Sequence, residues 1–139
     1  MNDTVSARPL PHASELTRPY WEGAAQGKLL IQRCGQCGKL RHYPRYLCDR
    51  CHSFEVEWAE SSGRGQVHSW TVAHHPFHPA FAGAVPYALV TVDLEEGVRA
   101  LGRYAVADGA GLRLGLPVRL RMETVAEGVA LPMFEPMES

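Results

Sequence analysis

Four cysteines are the residues whose type and spacing point most directly to chemistry. They form two pairs, Cys34-Gly35-Gln36-Cys37 and Cys48-Asp49-Arg50-Cys51, with ten residues between them. A Cys-x-x-Cys turn aims two thiolates at one point. Two such turns build a tetrahedral S₄ site, the geometry Zn²⁺ prefers at Zn–S distances of about 2.3 Å. The spacing is tighter than the longest zinc-ribbon pattern but of the same class. Gly35 and Gly38 fit a metal knuckle, whose backbone turns its amides toward the sulfurs through positive φ. One structural metal ion bound by Cys34, Cys37, Cys48 and Cys51 is therefore expected, zinc first, although S₄ ligation also suits iron. Two disulfides would suit an exported protein. Met1 to Leu10 has no apolar run, however, and Arg8-Pro9 interrupts it. A redox Cys-x-x-Cys would stand alone at the start of a helix in a βαβ unit. His52, next to Cys51, reads as a bystander.

The second cluster is His74-His75-Pro76-Phe77-His78. It could be a metal or proton-transfer site, or a polar, aromatic-flanked loop over a barrel mouth. The loop is the better reading: no carboxylate lies near it, and its prolines restrict how the histidines could converge. No nucleophile elbow, phosphate-binding loop or His-Glu-x-x-His occurs. The glycines from 109 to 115 lack dinucleotide-loop spacing. A site closed by four thiolates has no open position for substrate. No catalytic residue is assigned.

These groups need elements to hold them. Residues 1–13 read as a mobile tail or an arm on a partner. A short helix follows around Pro19-Tyr20-Trp21-Glu22, with proline at its start and Gly27 at its end. Tyr20, Trp21, Ala24 and Ala25 share one face, and Tyr20 and Trp21 are candidate anchors for a partner. Residues 28–33, 39–43 and 54–58 read as the three strands of a small zinc ribbon, with Phe54, Val56 and Trp58 half-buried. Ser61 to Gly65 reads as a hinge. Strands then follow at 66–74, 87–94, 98–104, 116–123 and 128–134. The strand at 87–94 is so apolar that burial on both faces is expected. The fold class is mainly β: a tail and docking helix (1–27), a zinc ribbon (28–60) and a five-stranded OB-type Greek-key barrel (61–139).

Net charge is −1, so the chain as a whole is no polycation. Charge is uneven along it: Lys28, Arg33, Lys39, Arg41, Arg45 and Arg50 face Asp49 alone, and Glu55, Glu57 and Glu60 follow. The basic stretch is either a phosphate-binding surface or a solvated rim around a dianionic centre. No run of 18 apolar residues offers a transmembrane helix. Metal-type cysteines without a targeting segment suggest the cytoplasm.

From Pro19-Tyr20-Trp21 onward the chain resembles a known family. Further matching stretches are Leu30 to Gly38, Tyr43-Pro44-Arg45, Cys48 to Cys51, Ser62 to Gly65, Val67 to Val72, Pro86-Tyr87, Glu96 to Arg99, Gly115 to Val118 and Leu131 to Phe134. This acyl-CoA-associated family pairs an N-terminal rubredoxin-like zinc ribbon with a C-terminal OB-fold. The resemblance implies a small subunit of thiolase-like or aldolase complexes, and sometimes of hot-dog-fold hydratases. In such complexes the partner carries the catalytic residues for thiolysis, condensation or retro-aldol cleavage of steroid side-chain CoA thioesters. An acyl-CoA thioester would lie at a shared site, where Arg33, Lys39, Arg41 or Arg45 could meet its phosphates. The competing reading is a nucleic-acid-binding module, since ribbons and OB barrels both serve that role. Against it, the barrel segment from 63 to 116 balances its arginines with acids and offers no basic groove lined by stacking aromatics.

Overall fold

The computed structural model describes residues 8–137. Of the expected tail, residues 1–7 lie outside the described residues. Helix α1 spans Arg18–Ala25. Its start is fixed by a reciprocal turn in which the Ser14 amide donates to Thr17 Oγ1 and the Thr17 amide to Ser14 Oγ. Its end is a Schellman closure: the Lys28 amide reaches the Gly23 carbonyl and the Gly27 amide that of Ala24. Gly27 takes φ +83°, which glycine adopts without strain.

Three short strands make the ribbon: β1 (Leu30–Cys34), β2 (Leu40–Arg41) and β3 (Val56–Glu60), in the order β2-β1-β3. Five more close a barrel: β4 (Arg64–Ala73), β5 (Tyr87–Leu94), β6 (Arg99–Tyr104), β7 (Pro117–Ala126) and β8 (Val129–Pro136). Their order is β4-β5-β6-β8-β7, with β6 and β8 parallel and the other pairs antiparallel. That is the expected OB arrangement.

Three expectations change. β3 begins at Val56, and Phe54 is 75% exposed. Pairing with β1 ends at Cys34–Val56, so no strand lies opposite Phe54. β5 is not buried on both faces. Ala88, Val90, Val92 and Leu94 point inward, while Tyr87, Leu89 and Thr91 are half-buried and Asp93 is exposed. An antiparallel barrel strand gives only one face to the core. The stretch Ser61 to Gly65 is not a hinge. Ser61 Oγ donates to Glu96 Oε1 at 2.8 Å, the Ser62 amide to Glu96 Oε2 at 2.7 Å and Ser62 Oγ to Glu95 Oε1 at 2.8 Å. The carboxylates of the β5–β6 turn thus pin the crossing from ribbon to barrel.

One hydrophobic cluster runs through all three parts. Tyr20 of α1 and Leu29 and Ile31 of the ribbon join Val67, Val90, Val92, Val118 and Phe134 of the barrel. The parallel seam between β6 and β8 is narrow. A Cβ on Gly102 would stand 2.9 Å from the Phe134 ring and 3.0 Å from the Pro132 carbonyl, so only glycine lets the strands approach.

His42 sits where helix, ribbon and barrel meet, its ring 5.6 Å from that of Tyr20 and 3.9 Å from that of Tyr43. Burial drives its pKa down to about 4. The unfolded chain would take up a proton near pH 6.5, and the folded chain resists until about pH 4. Stability from neutral His42 is therefore complete above pH 6.5 and declines as pH falls toward 4. In urea titrations across that window, His42→Leu should lose about 2–3 kcal/mol less than the unsubstituted chain.

Candidate metal centre

The four sulfurs converge. All lie within 4.8 Å of one another, with Cys34 and Cys51 Sγ 3.5 Å apart and Cys37 and Cys48 Sγ 3.6 Å apart. A disulfide would need about 2.05 Å, whereas a tetrahedron of 2.3 Å metal–sulfur bonds has edges of about 3.8 Å. The residues present therefore fit one tetrahedral metal ion.

The two turns are near copies. In the first, the Gly38 amide bonds the Cys34 carbonyl at 3.0 Å; in the second, the His52 amide bonds that of Cys48 at 2.9 Å. Amides of Gln36 and Cys37 point at Cys34 Sγ, and that of Arg50 at Cys48 Sγ, each at 3.4 Å. The residue after each second cysteine is left-handed: Gly38 at φ +79° and His52 at φ 65°. His52 therefore closes the second knuckle in the place glycine takes in the first. Gly35 has a different constraint from the one expected. A Cβ there would stand 2.9 Å from that of Glu55.

Electrostatics separates the sulfurs. Cys34 is pulled down to about 6, mainly by the Cys37 amide with help from that of Gln36 and against desolvation. Cys48 is also lowered, by the amides of Cys51 and Arg50. Cys51 is pushed up to about 12: the Ser53 amide favours its thiolate, but desolvation and the three neighbouring sulfurs outweigh it. Crowded thiols resist joint ionisation, and a divalent cation reverses that balance.

The basic stretch is largely used within the ribbon. Lys39 Nζ bonds Asp49 at 2.7 Å, and Arg50 Nη2 reaches the Cys37 carbonyl at 2.9 Å. Arg41 is only 7% exposed, which takes it off any phosphate-binding surface. Its Nε donates to Gln32 Oε1 at 2.7 Å and its Nη2 to the Arg45 carbonyl at 3.0 Å. Arg33 and Arg45 are exposed. Tyr20, 5% exposed, is buried in the chain's own core and cannot anchor a partner. Trp21 is half-buried beside it, ring centroids 4.8 Å apart.

The histidines after Thr71 do not converge into a group of three or more metal-type ligands among the described residues. His78 Nδ1 instead accepts from the Ala80 amide at 3.0 Å and caps a short 3₁₀ turn, Pro79–Phe81, while the His75 ring packs edge-on to Phe77. Sequence reasoning missed Tyr43. Its hydroxyl accepts from the Leu101 amide at 2.8 Å and donates to the Leu101 carbonyl at 3.4 Å. No sequence signal joins residues 58 positions apart.

Comparison with known proteins agrees with this architecture. Residues 21–57 match the model of the ChsH2 rubredoxin-like zinc ribbon domain, and residues 58–123 that of the ChsH2 C-terminal OB-fold domain. The chain belongs to the ChsH2 family. A solved relative titled "Ltp2-ChsH2(DUF35) aldolase" is 38% identical and superposes with a TM-score of 0.82, over 91% of this chain and 98% of that one. A protein of Methanothermobacter thermautotrophicus named a DUF35 domain-containing scaffold protein is 30% identical over 82% of this chain and 86% of its own length. A probable enoyl-CoA hydratase alpha subunit of Thermomonospora curvata is 39% identical over 93% of this chain. The chain spans only 40% of that relative's length.

The knuckles make opposite predictions. Gly38→Ala should destabilise the metal-loaded chain by about 1 kcal/mol and His52→Gly should stabilise it by a similar amount, because only the first introduces a Cβ into a left-handed position. Thermal melts decide. Cys37→Ser should abolish metal retention in elemental analysis and collapse the near-ultraviolet dichroism of the ribbon, whose few apolar residues cannot hold it unaided.

Proposed function

We propose that this chain is a non-catalytic accessory subunit, stapled by one structural zinc ion, that binds and stabilises a thiolase-like enzyme acting on acyl-CoA or steroid side-chain CoA thioesters. The observation that carries this reading is its likeness, at 38% identity over nearly the whole length, to the ChsH2 component titled as part of an aldolase. The scaffold name of the archaeal relative supports it. So does the geometry. Four sulfurs fill a tetrahedral shell, so the ion would serve as a staple and not as a Lewis acid.

A second reading concerns the partner. The Thermomonospora relative is named a hydratase subunit, and this chain matches 40% of it. A hot-dog-fold hydratase bound through the same module is therefore the alternative partner.

The nucleic-acid reading loses support. In OB barrels that bind polymers, the second and third strands form the binding face. Here those strands are β5 and β6, and Tyr43 is tied to Leu101 on β6. The barrel's Arg64, Arg99 and Arg103 are engaged with Glu95, Asp93 and Glu123. Among the described residues these pairings speak against a basic groove of the kind that tracks a phosphate backbone.

Exposed Arg33 and Arg45 would face the phosphates of CoA at a site completed by the partner, and Trp21 would be the apolar contact on α1. Co-purification from the native host followed by CoA-thioester turnover assays tests the whole reading. A thiolase-like partner with carbon–carbon cleavage supports it, a hydratase with hydration favours the second reading, and salt-sensitive nucleic acid with neither enzyme would overturn both. Reversing Arg33 and Arg45 to glutamate should weaken CoA-thioester binding by the complex at least tenfold at unchanged metal content. Unchanged binding would remove the phosphate role.

A further inference from the structure

Residues 38–47 connect the two knuckles, and both ends of this connection are metal-type ligands, Cys37 and Cys48. Tyr43 lies at its middle. The first part of the connection is held by strand β2, which pairs with β1, and by the Cys34 amide on the Lys39 carbonyl. Beyond β2 it is held by the Arg45 amide on Gln32 Oε1 at 2.8 Å and by the Arg41 bond to the Arg45 carbonyl. From there the Tyr43 ring reaches across to the barrel, where its hydroxyl takes both the amide and the carbonyl of Leu101.

Leu101 sits beside a short seam of the barrel. β6 and β8 share only the pairs Arg103–Met133 and Tyr104–Phe134. Opposite the preceding residues, β8 presents Pro132, which has no amide to donate. The outward amide and carbonyl of Leu101 therefore lack a strand partner at this seam, and the tyrosine hydroxyl stands in for one. Beside it an apolar cavity of about 300 Å³ is walled by Tyr20, Trp21, Tyr43, Pro44, Leu101 and Pro132. Tyr43 is 43% exposed and Leu101 46% exposed, so solvent competes for these bonds whenever the ring moves.

We infer that Tyr43 is a latch: an occupied metal centre, by fixing both ends of residues 38–47, holds the tyrosine hydroxyl on Leu101 and so closes the β6–β8 seam of the barrel. Loss of the metal loosens the part of the connection beyond β2, residues 42–47, withdraws the hydroxyl and opens the seam while the rest of the barrel ladder stays paired. The ribbon thus reports its metal state to the β6–β8 seam through the Tyr43 hydroxyl. This inference needs the metal site but not the identity of the partner enzyme.

The test is amide hydrogen exchange, resolved by residue, on the zinc-loaded chain, the same chain after chelation, and zinc-loaded Tyr43→Phe. The Leu101 amide bonds outward, so Leu101–Thr91 is the open pair of the β5–β6 ladder and the neighbouring pairs Val90–Gly102 and Val92–Ala100 carry the cross-strand bonds. The amides of Val90 and Val92 therefore serve as internal controls. In Tyr43→Phe, Leu101 should exchange roughly tenfold faster or more, with Val90, Val92 and zinc content unchanged. Chelation should produce the same selective loss at Leu101. Unchanged protection of Leu101 in Tyr43→Phe would overturn the latch. So would a chelated chain in which Val90 and Val92 lose protection as fully as Leu101, because ribbon and barrel would then melt as one unit without a switch between them.

Discussion

Four sulfurs held within 4.8 Å of one another set a condition that the rest of the chain has to meet. As thiolates they repel, and as thiols they leave weak donors crowded together in a ribbon with little core of its own. A divalent cation resolves both problems at once. The ribbon is built around that requirement. Amides converge on Cys34 and Cys48, Lys39 is tied to Asp49, and Arg50 is laid over the Cys37 carbonyl. The same condition fixes the two ends of the connection that carries Arg41, His42, Tyr43 and Arg45. Through these residues the inter-knuckle connection reaches contacts well beyond the sulfurs.

Arg41 shows how a charge pattern can mislead. It lies in a basic run and invites a phosphate, yet it is buried and bonded to two neutral acceptors, the Gln32 amide oxygen and the Arg45 carbonyl. A guanidinium can accept this environment because its charge is delocalised and its donors are fixed in a planar fork. Gln32, itself fully buried, receives both Arg41 and the Arg45 amide and so joins β1, β2 and the inter-knuckle connection. Most of the local positive excess is therefore structural, and of the expected phosphate contacts Arg33 and Arg45 are the exposed ones that form no ion pair among the described residues.

Much of the fold was legible because it rests on local rules. The cysteine spacing marked the ribbon, the strand expected at 116–123 falls on β7, and Gly27 marked the end of α1. What could not be read depends on pairs distant in sequence. Tyr20 looked like an anchor for another protein because its partners in the barrel lie far along the chain. Ser61 to Gly65 looked flexible by composition, since nothing local shows that Glu95 and Glu96 return to bind it. Phe54 continued the alternation of β3, but β1 had already turned at Cys34 and offered no neighbour. His52 carried no glycine signal, although the backbone there requires the same left-handed turn as Gly38.

The shared core suits an accessory role. A binding partner loses affinity when it must order loops and side chains as it docks. Here the parts that a two-domain reading would leave free to move are already ordered. The helix is buried through Tyr20, the crossing is pinned by two carboxylates, and the outer side of β6 is engaged by Tyr43. The bonds of Tyr43 to Leu101 also help to set ribbon and barrel in one orientation. Under the accessory role proposed above, that rigidity is itself the useful property.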